Sequence, residues 1–113
     1  MRPVARIDAL LGMLGRGQDS ALLRFSLGNE YLAADDHLAA AEQLRVAVKL
    51  DAGYSAAWKL LGKALAKGGD AQGAIAAWQQ GMTVAAAKGD RQAAKEMGVF
   101  MRRLQKHGGT TRK

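Results

Sequence analysis

Moved along itself by 34 residues, the 113-residue chain meets its own pattern. Leu27 falls on Leu61, Gly28 on Gly62, Asp36 on Asp70 and Ala40 on Ala74. Around these identities Tyr31 falls on Leu65, Leu44 on Trp78 and Ala47 on Gly81, so large residues meet large ones and small meet small. A period of this length marks a chain built by stacking one supersecondary unit, because each unit leaves an apolar face that the next must cover. Gly28, Gly62, Ala40 and Ala74 let paired helices approach closely, and the large residues fill the space between them.

Within the period the apolar residues recur at helical spacing. Val4, Ile7, Leu11 and Leu14 form a first stripe behind Pro3, which suits a first helical turn, and Gly15 and Gly17 end it. Asp19 or Ser20 can cap a second helix carrying Leu23, Leu27 and Tyr31. Asp35 and Asp36 break the chain and cap a third with Ala40, Leu44, Ala47 and Val48, which the run from Leu50 to Gly53 ends. Ser55 is the expected cap of a fourth, with Trp58, Leu61 and Leu65. Lys67-Gly68-Gly69-Asp70 joins a C-terminal cation, a glycine stop and a new cap, and Gly89-Asp90 repeats the device. The fifth stripe is Ala74, Ile75, Trp78 and Met82, and the last is Ala93, Met97, Phe100, Met101 and Leu104. The reading is six antiparallel helices joined by short turns, with Trp58 and Trp78 mostly buried between stacked pairs. Composition agrees: 23 alanines and 14 leucines stand against 10 Val, Ile and Thr together, which argues against a sheet, and the single proline leaves the rest free to be helical.

Several function classes fall away. The absence of cysteine removes disulfides, thiol nucleophiles and thiolate metal sites. The two histidines, His37 and His107, stand far apart, so no His-rich cage is expected, and no nucleophile, base and orienting group occur together. The expectation is a chain that is not an enzyme and needs no metal or cofactor. No apolar run approaches the ~20 residues of a membrane span, and Asp8 interrupts the short apolar stretch near the start, so neither membrane insertion nor a signal peptide is expected. A cytoplasmic location follows as the default. The net charge of +7 is uneven: three lysines give residues 53–69 a net +3, and eight cations against two carboxylates give residues 88–113 a net +6. The C-terminal cations Arg91, Lys95, Arg102, Arg103, Lys106, Arg112 and Lys113 have no interleaved aromatic residues and no recognition signature. They read as solubility and helix-end complementation, which ranks nucleic-acid binding behind protein binding.

Counted from Ala21 and Ser55, the second unit carries Trp58, Leu61, Gly62, Leu65, Ala74, Trp78 and Gly81, and the first Leu27, Gly28, Tyr31, Ala40, Leu44 and Ala47. In these positions the chain resembles the tetratricopeptide repeat (TPR) family, a 34-residue helix–turn–helix unit, and small bacterial members of unassigned function. Arg24 stands where the family usually has Trp, and Ala52 replaces its usual proline. The resemblance implies an all-α fold of antiparallel helical-hairpin repeats wound as a right-handed superhelix, with capping helices at both ends. Repeats are then expected at about 21–54 and 55–88 and a C-terminal capping helix at about 90–106, within a single domain 1–107 followed by a flexible tail 108–113.

The resemblance also implies a use. Members of the family bind a peptide or helix of a partner protein in a concave groove lined by the first helix of each repeat. The corresponding positions here include Phe25, Asn29 and Leu32, then Lys59, Lys63 and Lys67, and the three lysines fall on one helical stripe. Members that clamp a C-terminal carboxylate use Lys at the fifth and Asn at the ninth position of one repeat. Lys59 and Asn29 occupy those positions in different repeats, so the clamp is not reproduced. The charges alone fit a solvated lysine face slightly better than a groove for an acidic partner; in the second case Lys59 and Lys63 are expected beside Asn29, flanked by Phe25 and Leu32. The alternative use is structural, through exposed faces of the end helices. A monomer is expected if both end helices dock, and a weak homodimer if either presents its stripe.

Overall fold

The structure, a computed structural model, describes residues 3–109. It contains α1 (Pro3–Gly15), α2 (Ala21–Ala33), α3 (His37–Leu50), α4 (Ser55–Lys67), α5 (Ala71–Ala87) and α6 (Arg91–Leu104). Helix α6 runs on into one wider turn, Gln105–Gly109, which takes in the first two residues of the expected tail. Thr110 to Lys113, the rest of that tail, and the side chain of Val4 lie outside the described residues. No strand occurs among the described residues.

Three of the five turns are built the same way. After α2, α4 and α5 the backbone N–H of Asp36, Asp70 and Asp90 donates to the carbonyl five residues back, on Tyr31, Leu65 and Ala85, at 2.8, 2.9 and 2.8 Å. The preceding residue turns left-handed: Gly69 (φ 87°), Gly89 (φ 77°) and, without the benefit of glycine, Asp35 (φ 63°). Each closing aspartate then opens the next helix. Asp36, Asp70 and Asp90 accept from the N–H of Ala39, Gly73 and Ala93 at 3.2, 2.9 and 3.0 Å. One residue thus satisfies orphan groups of two helices and fixes the angle between them.

The α3–α4 junction is different. Ser55 is the first helical residue, not the cap; the cap position is Tyr54, whose side chain makes no capping hydrogen bond. Asp51 stabilises the turn by accepting from the N–H of Gly53 at 3.0 Å, and the Tyr54 ring packs on Phe25 with centroids 5.0 Å apart. Ser20, one period before Tyr54, does cap: its Oγ accepts from Leu23 N–H at 3.0 Å.

The core follows the period. Leu27, Leu44 and Met97 are fully buried. A Cβ built on Gly28 would overlap Leu44, and one on Gly62 would overlap the Trp78 indole, so each glycine admits the large residue of its partner helix. Trp78 is buried and its Nε1 donates to the Lys59 carbonyl at 3.1 Å. Trp58 is mostly buried as well, packed against the core without being fully enclosed. Its indole N–H reaches out to the Ala52 carbonyl (2.8 Å) in the exposed α3–α4 turn, which holds one edge of the ring at the surface. Consecutive helices pack on one another, and α4 also touches both α2 and α6, so these three form one layer of the stack.

Candidate partner-binding groove

The α2–α4–α6 layer carries the residues singled out in the sequence. On α4, Lys59, Lys63 and Lys67 succeed one another turn by turn; the first two contact α6, and Lys67 lines the cleft between the two helices. Lys59 Nζ pairs with Glu96 Oε1 at 2.7 Å, and the second oxygen of Glu96 accepts from Gln92 Nε2 at 3.1 Å. The Lys59 hydrogen bond, reinforced by Gln92, holds the Glu96 carboxyl below its usual range. One turn on, Lys63 Nζ lies 5.2 Å from the centroid of the Phe100 ring. No hydrogen bond or ion pair among the described residues joins these lysines to Asn29, which is exposed on α2. Phe25 is half-buried against Tyr54, and Leu32 is half-buried against the core. The six expected groove residues therefore divide: Lys59 and Lys63 turn to the capping helix, while Phe25 packs on Tyr54, Leu32 on the core, and Asn29 is exposed.

Between α4 and α6 opens a cleft of about 340 Å³. Its floor is apolar, formed by Ala66, Trp78, Phe100 and Leu104, and its rim carries Lys63, Lys67, Arg103 and His107. The Trp78 and Phe100 rings meet at 5.6 Å between centroids, tilted by 48°. No carboxylate lines the cleft. In sequence Phe100, Arg103, Leu104 and His107 read as core, helix-end cations or isolated residues, not as lining. A signal existed: carrying the 34-residue period twice sets Phe100 two periods beyond Leu32, itself a groove position of the first unit.

The remaining polar clusters are structural. Arg24 makes a two-pronged pair with Asp19, at 2.8 and 3.0 Å, and reaches Gln43 on α3 at 3.0 Å, which ties the two helices of the first repeat together where the family usually places Trp. Arg6 of α1 pairs with Glu30 of α2 at 2.9 Å. Among the described residues no group of three or more His, Asp or Glu side chains comes close enough to hold a metal ion, and no helix is long and apolar enough to cross a membrane.

Comparison with known proteins gives relatives over nearly the whole chain. A TPR repeat-containing protein of Pseudomonas aeruginosa is 54% identical over 100 residues, covering 88% of this chain and 95% of that protein. The solution structure of a Bordetella parapertussis protein is 44% identical, with a TM-score of 0.78 over 89% of this chain and 88% of that one. A crystal structure of MamA matches with a TM-score of 0.66 over 96% of this chain and 71% of MamA, at 21% identity, a likeness of fold alone. No family model matches the sequence.

Proposed function

The chain belongs to the tetratricopeptide-repeat family, and from that membership we propose that it is a non-enzymatic adaptor or scaffold that binds a peptide or helix of a partner protein in the groove of its α2–α4–α6 layer. The observation that carries this reading is the α4–α6 cleft: an open apolar floor of Trp78, Phe100 and Leu104 beneath a rim of cations. Apolar surface left open beside charge suits a partner that the charges steer and the apolar contacts hold. Asn29 and Leu32 lie on α2, a helix of the same layer, and in this reading they are the far end of the groove.

The test is capture of the partner from the native source by the wild type and by Lys63→Glu/Lys67→Glu. Lys59 is left alone because its pairing with Glu96 docks α6. Loss of the captured protein, with the melting temperature within about 2 °C of wild type, supports the groove. Equal capture by the double variant places the binding surface elsewhere.

A further inference from the structure

Resting on that reading, we infer that the α4–α6 cleft is a subsite for an acidic segment that carries one bulky apolar side chain, best an aromatic one. The side chain enters over Phe100 and Trp78, and carboxylates on either side of it fall on Lys67 and Arg103. Three observations meet here. The cleft's volume of about 340 Å³ lies at the small end of ligand pockets, room for one large side chain and its backbone but not for an extended ligand. Its floor offers aromatic faces and edges that stack with another ring. Its rim carries charge that the protein does not neutralise: no carboxylate lines it, and among the described residues neither Lys67 nor Arg103 pairs with an acid.

The neighbouring lysines sharpen the assignment. Lys59 is held by Glu96, and Lys63 lies over Phe100 within the field of the same carboxylate. A ligand anion therefore meets its least compensated partners at the far end of the row, Lys67 and Arg103, where the guanidinium can take a carboxylate in a two-pronged grip. The charge and the apolar floor lie within one cleft, so neither a purely acidic nor a purely apolar segment uses all of it.

The probe is an acetylated, amidated nonapeptide with a central Phe flanked on each side by two Glu, fluorescently labelled and titrated with the full chain. Two further peptides replace the Phe by Ala or every Glu by Gln. We expect each replacement to weaken binding about tenfold, and Lys67→Glu/Arg103→Glu to do the same to the parent peptide. Arg91→Glu/Lys95→Glu, which changes the net charge equally on the exposed outer side of α6, should leave it within about twofold. Equal loss from both protein variants, or equal binding of the Ala peptide, would reduce the effect to general charge attraction and overturn the subsite. Should the peptides fail to bind while the native partner is still captured and still released by Lys63→Glu/Lys67→Glu, the subsite falls and the groove stands. If neither peptide nor native partner responds to substitution in the cleft, both readings fall.

Discussion

Gly28 and Gly62 occupy equivalent places one period apart, yet a methyl group added at each meets a different neighbour. At Gly62 it runs into the Trp78 indole, which is rigid, buried and fixed by its hydrogen bond to the Lys59 carbonyl. At Gly28 it meets the branched end of Leu44, an aliphatic group that is fully buried but, unlike the indole, held by no hydrogen bond. Overpacking costs ~1–3 kcal/mol, so Gly62→Ala should fall at the upper end and Gly28→Ala at the lower, by chemical denaturation. Equal losses would mean that the indole is free to move. Asp35 offers the opposite case: it adopts the left-handed conformation that Gly69 and Gly89 adopt at the ends of α4 and α5. Replacing it by Gly should stabilise the chain by up to about 1 kcal/mol, since the Cβ clash is relieved at some cost in unfolded-chain entropy. At this scale the repeat made the sequence legible. It placed the small residues opposite the large ones, but not which large residue could yield.

At the scale of elements, the aspartates were readable as caps because the residue type and the glycine before it name the turn chemistry at Asp70 and Asp90. Their second task, closing the helix behind them, needs only backbone N–H and leaves no trace in side-chain type. The α3–α4 junction departs from the sequence expectation for a related reason: Ser55 is a favoured capping residue, but the cap position is Tyr54, whose ring packs on Phe25. Helix α6 docks on α4 partly through Lys59–Glu96. Because the folded Glu96 carboxyl is held below its usual range, its contribution is present in full above the unfolded pKa and is lost as pH falls through the lowered folded value. Glu96→Gln should therefore remove that acid-side weakening, and amide exchange in α6 should quicken at neutral pH. Wild-type and variant α6 protection that fell in parallel on acidification would remove the pair from the docking of this helix.

Taken whole, the molecule is a short stack measuring 49 × 31 × 22 Å, closed at its two ends in unlike ways. Helix α6 buries Met97 and turns Arg91, Lys95 and Arg102 outward, a polar cover suited to ending a stack. Helix α1 buries Ile7 but leaves Leu11 and Met13 about one-third exposed, at 38% and 36%. Those exposures are modest, so sedimentation across a concentration series should show a monomer. A mass that rises with concentration and is restored by Leu11→Asp/Met13→Asp would assign dimerisation to the α1 end. The stack itself was legible from the 34-residue period, while the cleft was not, because it joins residues of the second unit to an end helix that reads as a lid. The most direct test of the binding account is NMR mapping of the wild-type chain with its captured partner. The account predicts shifts centred on Lys63, Lys67, Phe100, Arg103 and the Trp78 indole N–H; shifts confined to α1, or to α3 and α5 around Leu38 and Ala76, would contradict it.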